Sequence, residues 1–331
     1  MEPVFGCRLK VGKIGGILSF ENLFLFPNNS NVYNLEGVKA VVSAAEAGQS
    51  PAMLQLHPSA LRYGGSALVA LCLEAARTAA VPISVHLDHS TSERDIDQAL
   101  KAGMASIMAD GSHLPYAENL AFTRAMTQRA HQQGAVVEAE IGRISGTEDG
   151  LTIAEKEAKM TDPDQAVEFV ATTQVDALAV TIGNVHGEYK SPPRLDFARL
   201  ERIRRQVSIP LVLHGASGLP EPMISQSISL GVCKFNVNTE VRQAYLQTLQ
   251  DSLCGNQVDL LEVMDRAIAA MQRVISEKLH LFGSTGKAHL HQSPYAEWLV
   301  ARGRSGMTAK LNPPIYRKGE SLRGDCKAPR L

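Results

Sequence analysis

An α/β chain folded as one (β/α)8 barrel, the TIM-barrel architecture, with a basic C-terminal tail, is the fold that this sequence predicts. Three observations predict it. Short Val- and Ile-rich runs alternate with stretches of helical length from about Phe24 to Gly286. The runs lack polar alternation, as strands buried on both faces do. Nearly every run ends in a residue able to bind a metal or move a proton. The chain has 331 residues, 33 Lys+Arg against 34 Asp+Glu for a formal net charge of −1, and a hydrophobic fraction of 44%. That length suits one barrel of roughly 250 residues with extensions. The charge balance disfavours a nucleic-acid partner, and no apolar run reaches the ~18 residues of a membrane span, so no membrane partner is expected. Cys7, Cys72, Cys233, Cys254 and Cys326 are scattered and show no CxxC spacing. They suggest neither a disulfide framework nor a thiolate zinc site, and a reducing, cytoplasmic setting is expected.

The first strand is expected at Leu23–Phe26, inside an atypical N-terminal segment of residues 1–30. Lys10 and Lys13 precede an apolar stretch there, but Glu21 and Asn22 interrupt it, which argues against a signal peptide. The other strands are expected at Ala52–Leu56, Pro82–Leu87, Ala105–Met108, Ala135–Ala139, Ala177–Ile182, Pro210–Leu213 and Val232–Phe235. Between them, Phe197, Leu200 and Ile203 share a helical face, as do Val241, Tyr245 and Leu249, and then Leu261, Met264, Ile268, Met271 and Ile275. Thr161-Asp162-Pro163 reads as a capped helix start. Residues 289–331 read as a flexible basic tail, because positions 301–331 carry eight Lys/Arg against two acids, with Pro313, Pro314 and Pro329.

The strand ends carry the chemistry. They are His86-Leu87-Asp88-His89, Asp110-Gly111-Ser112-His113, Glu138-Ala139-Glu140, Asn184-Val185-His186-Gly187, His214-Gly215-Ala216-Ser217-Gly218 and Asn236-Val237-Asn238-Thr239. In a barrel these positions converge on the C-terminal rim. A single histidine there reads as a structural residue, but histidines from three strands beside carboxylates read as a metal centre. Imidazoles without thiolates point to Zn²⁺, with Co²⁺, Mn²⁺ or Fe²⁺ as substitutes, and three protein ligands leave a coordination position open for catalysis. Asp88 and His89 are adjacent and would diverge on an ideal strand, so both reach the mouth only if the chain turns there.

The glycine-rich turn at Gly215–Gly218 and the helix start at Asn236–Thr239 offer backbone N–H groups to a phosphate, and Lys190 adds charge. Tight turning alone is the plain alternative for these glycines. The long connection Arg143–Met160 places Glu148 and Asp149 between glycines, as a lid bearing a proton-transfer group would. A solvated loop with incidental acids is the alternative reading.

Taken together, these motifs resemble the class II, metal-dependent ketose-bisphosphate aldolases, the fructose- and tagatose-bisphosphate aldolases. The resemblance runs from Asn31 to Ala288. It implies a metal-dependent aldolase barrel over residues 31–288, forming homodimers or homotetramers, that cleaves a ketose 1,6-bisphosphate to dihydroxyacetone phosphate and an aldehyde phosphate. By the same resemblance His89, His186 and His214 are the zinc ligands, Asp88 is the acid/base at the C4 hydroxyl, and Asp110 and Glu140 hold a second or displaced metal. Glu148 becomes the mobile-loop carboxylate. Asn31, Gly187, Lys190, Gly215, Ala216, Ser217, Asn236, Val237, Asn238 and Thr239 form the substrate-binding set. A monovalent cation, Na⁺ or K⁺, is implied near Val185, Gly187, Gly215 and Ser217.

Three departures from the family pattern stand out. The segment Leu25–Ser30 does not fit, His57 stands where many members carry serine, and His280 stands where relatives often carry arginine. Two other functions compete with the aldolase. One is a sugar-phosphate-binding paralogue without turnover; the other is a metal-dependent barrel hydrolase, although the first strand has no H-x-H pair.

Overall fold

The computed structural model describes residues 28–148, 151–153, 158–187, 189, 191–254 and 259–288. Its strands are β1 (Asn28–Asn31), β2 (Ala52–Leu56), β3 (Ile83–Ser90), β4 (Ser106–Ala109), β5 (Val136–Ile141), β6 (Ser145–Glu148), β7 (Leu151–Ile153), β8 (Ala177–Val180), β9 (Val185–His186), β10 (Leu211–Leu213) and β11 (Val232–Val237). Its helices are α1 (Leu35–Ala47), α2 (Pro58–Thr78), α3 (Glu93–Lys101), α4 (Tyr116–Gln132), α5 (Pro163–Thr173), α6 (Phe197–Gln206), α7 (Glu221–Ser229), α8 (Thr239–Ser252) and α9 (Leu260–Leu281). Eight strands close a parallel barrel in the order β1-β11-β10-β8-β5-β4-β3-β2. A small sheet, β7-β6-β9, stands apart from it.

Seven barrel strands fall on the expected apolar runs. The first does not: β1 is the polar segment Asn28-Asn29-Ser30-Asn31, downstream of the expected Leu23–Phe26, which lies outside the described residues. Asparagine and serine are poor strand formers, but pairing with β11 on one side and β2 on the other overrides that preference. The N-terminal departure therefore leaves barrel closure intact.

The side chains separate into two cores. Outward-facing residues such as Leu54, Leu87, Ile107, Val137, Leu178, Leu213, Phe235 and Val237 pack against the helices. A small inward cluster, Met108, Val136, Ala177, Ala179 and Val212, lines part of the barrel lumen. Much of the rest of the described lumen is polar: Asn29, Gln55, Ser84, His86, Ser106, Glu138, Lys234 and Asn236 are all buried. Barrel interiors are ordinarily filled by branched apolar side chains, so this lumen departs from the rule.

The helix starts follow the local chemistry. Asp162 caps α5, its Oδ1 accepting from the backbone N–H groups of Asp164 at 2.9 Å and Gln165 at 3.0 Å, with Pro163 in the first turn. Leu200 and Ile203 bury the expected face of α6. On α9 the buried stripe is Val263, Ala267, Ala270, Met271, Ile275 and Leu279. Leu261, expected on that face, is 72% exposed, because it lies two positions before Val263 and so on another side of the helix. Among the described residues no helix is long and apolar enough to cross a membrane.

Candidate functional site

The site begins with a break in the regular pleat. Between Leu87 and Ser90 the β3–β4 register slips: three steps on β3 span two on β4, from Ile107 to Ala109. The extra residue makes a bulge, and His89 adopts a left-handed backbone with φ of 42°. This is how adjacent Asp88 and His89 both serve the rim, which alternation alone would forbid.

Three imidazoles converge there. His89 comes from the β3 bulge, His214 from the residue after β10, and His186 from β9, beyond the barrel wall. Their ring centroids lie 5.1 Å apart for His89 and His186, 4.4 Å for His89 and His214, and 6.0 Å for His186 and His214. One nitrogen from each lies within 4.8 Å of the others. Asp110 and Glu140, at the ends of β4 and β5, gather with His89 as a second group of the same kind.

The hydrogen bonds fix which nitrogens face inward. Asp110 Oδ2 lies 2.7 Å from His89 Nδ1, and Glu138 Oε1 lies 2.9 Å from His214 Nε2. A carboxylate accepts only, so each outer nitrogen carries the proton and each inner nitrogen offers a lone pair. The inner pair, His89 Nε2 and His214 Nδ1, sit 2.6 Å apart. Two lone pairs at that distance repel, and a positive charge shared by the two nitrogens, a proton or a metal ion, relieves the repulsion. The donor set therefore fits a metal.

Around this centre the charges are uneven. Asp88 is fully buried, and its Oδ1 accepts from Asn236 Nδ2 at 3.0 Å. Burial pushes the Asp110 carboxyl up, but the His89 ring and Ser112, whose N–H donates to Asp110 Oδ1 at 3.0 Å, outweigh it and hold the group well below the usual carboxylate range. Glu140 goes the other way. Burial raises it well above the ordinary value, and the charge of Asp110 adds to the rise. Burial also holds His214 and His86 well below the ordinary imidazole value.

The remaining expected residues divide by placement. Gly215 has φ of 66°, and a Cβ added to it would meet Val185 O at 2.2 Å, so the β10 turn packs directly on β9. Ser217 is buried beside it, while Ala216 is buried in the outer core and reaches the site through its backbone alone. Val237 is the same case, with its side chain facing the helices. Asn236 contacts both Asp88 and His214 Nδ1, the latter at 3.1 Å. Asn238 precedes α8 without capping it through its side chain; instead its Oδ1 accepts from Tyr33 Oη at 3.1 Å, and Thr239 opens the helix. Asn31 Oδ1 accepts from Gln55 Nε2 at 3.1 Å inside the barrel. Gly187 follows β9 with φ of 80°. Lys190 and Asp149 lie outside the described residues.

The expected lid is built differently from a free loop. Glu148 ends β6, which pairs antiparallel with β7 and parallel with β9. The base of this excursion is closed by paired backbone bonds between Arg143 and Lys159 at 2.7 and 2.9 Å. Gly146, the glycine that precedes the two acids, is clamped: a Cβ there would overlap His186 O. The glycine is needed for close approach of β6 to the strand that carries His186.

His113 and His280 are exposed, neither belongs to the two candidate ligand groups, and His57 caps α2, its Nδ1 accepting from Ser59 N at 3.2 Å. Sequence reasoning missed four contributors. Asn184 Nδ2 donates to His214 O at 3.1 Å, and the Tyr189 hydroxyl donates to Gly215 O at 2.9 Å while accepting from Val185 N at 3.2 Å. Glu138 and Lys234 are the other two, an ion pair in the lumen beside His214. The signal for Lys234 was a lysine inside the otherwise apolar run Val232–Phe235.

Known proteins are similar to this chain over most of its length. The model of the family described as fructose-bisphosphate aldolase class-II matches residues 28–287. The chain is 42% identical over 261 residues to the D-tagatose-1,6-bisphosphate aldolase subunit GatY of Klebsiella oxytoca, covering 78% of this chain and 92% of that protein. A crystal structure from Coccidioides immitis, assigned as a fructose-1,6-bisphosphate aldolase, is similar with a TM-score of 0.78 at 36% identity, covering 82% of this chain and 99% of that one. The YdjI aldolase of Escherichia coli K12 is similar with a TM-score of 0.72 at 36% identity, covering 81% of this chain and 95% of that one.

Proposed function

The chain belongs to the class II fructose-bisphosphate aldolase family, and from that premise we propose that it is a zinc-dependent lyase acting on a ketose 1,6-bisphosphate. Its products are dihydroxyacetone phosphate and an aldehyde phosphate. The observation that carries the reading is the pair of carboxylate-braced imidazoles, His89 and His214, facing each other at 2.6 Å with buried Asp88 beside them. Family membership sets aside the barrel hydrolase, and the aldolase names of the relatives favour turnover over a binding paralogue.

His89, His186 and His214 would hold the zinc ion, with Asp110 and Glu140 available to a second or displaced metal. When bound, the ion supplies a Lewis acid for the negative charge that develops on the C2 oxygen as the C3–C4 bond breaks. The rest is the work of the chain. Asp88 takes the proton of the C4 hydroxyl as the aldehyde leaves, and Asn236 holds that carboxylate in place. The electrons of the broken bond remain on the three-carbon fragment, whose C3 receives a proton from Glu148; condensation reverses both transfers. Asn31, Gly187, Gly215, Ser217, Asn236, Asn238 and Thr239, with the backbone of Ala216 and Val237 and with Lys190, anchor the phosphate end. Binding energy remote from the reacting bond then orients it.

The same reading keeps the expected catalytic unit of residues 31–288, extended to Asn28 because β1 closes the barrel, with the basic tail expected at 289–331 outside the described residues. It takes the protein as a cytoplasmic homodimer or homotetramer and adds a monovalent cation near Val185, Gly187, Gly215 and Ser217. The test is a coupled assay of triose phosphate release from fructose and tagatose 1,6-bisphosphates, before and after EDTA and then with Zn²⁺ restored. Cleavage lost on chelation and recovered with zinc is expected. A folded, zinc-loaded chain that cleaves neither sugar overturns the substrate assignment.

A further inference from the structure

Below the rim the lumen holds an ionic cluster that the chemistry above it leaves unused. Lys234 Nζ lies 2.8 Å from Glu138 Oε2, and both side chains are fully buried. Glu138 Oε1 lies 2.9 Å from His214 Nε2. His86 Nε2 is 3.7 Å from Glu138 Oε2, and His86 Nδ1 is 2.7 Å from Ser106 Oγ. Withdrawing two ions from water is costly, and a buried pair is seldom more stable than apolar residues of the same volume. Fold stability alone is thus a poor account of a lysine and a glutamate in a barrel core.

We propose that the Lys234–Glu138 pair is a positioning device for His214, fixing the imidazole with Nδ1 turned to the metal site. Glu138 accepts the single N–H of the neutral ring at Nε2, which leaves Nδ1 as the lone-pair nitrogen. An independent contact agrees. The Asn236 amide nitrogen, which also donates to the Asp88 carboxylate, lies 3.1 Å from His214 Nδ1 and so requires an acceptor there. Lys234 offsets the charge of Glu138, so that a strong acceptor can be carried in a dry lumen. The pair comes from strands that are not neighbours, β5 and β11, and it meets His214 across the lumen. It orients a ligand that the ring's own backbone attachment would leave free to turn.

This inference rests on the metal-site reading, and its test separates the two. Two neutral double variants of the full chain are compared with the parent: Glu138→Leu with Lys234→Met, and Glu138→Gln with Lys234→Met. Both remove the charges together, but only the second keeps an acceptor for His214 Nε2. Zn²⁺ affinity is measured by competition with a chromophoric chelator, and the His214 tautomer by long-range ¹H–¹⁵N spectra of the metal-free, ¹⁵N-histidine-labelled proteins. The leucine variant is expected to lose the Nε2–H tautomer and about 10–100-fold in zinc affinity, with the glutamine variant recovering most of both. A folded leucine variant with parental tautomer and affinity overturns the positioning role alone. A parent chain that takes up no zinc overturns the metal-site reading itself.

Discussion

Glu138 and Glu140 stand two residues apart on β5, face the same lumen, and live in opposite electrostatic conditions. Glu138, in the lower layer, has the Lys234 ammonium at 2.8 Å and the His214 ring at 2.9 Å. Glu140 stands at the rim, where burial together with the charges of Asp110, Glu138 and Asp88 raises its carboxyl far above the ordinary value, against the pull of His89. The lower layer carries its own cation. The rim gathers carboxylates and lone pairs around a place where a cation belongs. Within one strand, the supply of positive charge from across the barrel separates an ion-paired acid that orients a ligand from an acid that faces the site itself.

That contrast can be broken in order of expected size. The largest effect is on turnover: Asp88→Asn should lower kcat by about 10²–10⁴-fold in the coupled assay, with zinc still bound, since it removes a proton acceptor and little packing. Next comes the lower layer, where Lys234→Met alone strands a buried carboxylate and should cost about 3–5 kcal/mol in urea unfolding. At the rim, zinc at a hundredfold excess over its Kd should stabilise the chain by about 2.7 kcal/mol, read as a Tm rise that EDTA reverses. Glu140→Gln in the metal-free protein should cost less than Lys234→Met, about 1 kcal/mol or less, because burial beside other carboxylates disfavours its charged form and the amide removes that charge. Equal losses for Lys234→Met and Glu140→Gln would erase the distinction between the layers.

The smallest effect lies outside the lumen. His131 Nε2 is 2.9 Å from Asp176 Oδ2, which also accepts from Val137 N at 2.7 Å, and the bond to Asp176 raises the imidazole above its ordinary 6.5 against partial burial. A raised folded value means that this contribution is fully present below pH 6.5 and is lost as the pH climbs through the folded value. His131→Gln should flatten that part of the Tm-against-pH curve and leave zinc affinity unchanged. The pair is solvent-screened, so the change should stay within about 1 kcal/mol.

The legibility of the chain follows the same physics. Runs such as Ala52–Leu56 and Ala177–Val180 were readable because both faces of a parallel strand are apolar, and a local pattern suffices to find them. Asn28–Asn31 was not, since only its partners on either side make it a strand. The histidines could be gathered on one rim from topology alone, yet the bulge that turns Asp88 and His89 to the same place depends on how β3 registers with β4. The roles of Glu138 and Glu140 were beyond reach from order along the chain. Lys234 reaches β5 across the lumen, past two intervening strands, β8 and β10.

His89 holds its left-handed backbone at φ of 42° as a non-glycine residue, a conformation that costs about 1–3 kcal/mol where nothing compensates. Glycine at that position would relax the bulge and remove a ligand in one step. Stability and function are therefore traded at a single codon. In a lineage selected for heat resistance without selection for turnover, glycine at position 89 would mark the loss of the site ahead of any change in the barrel.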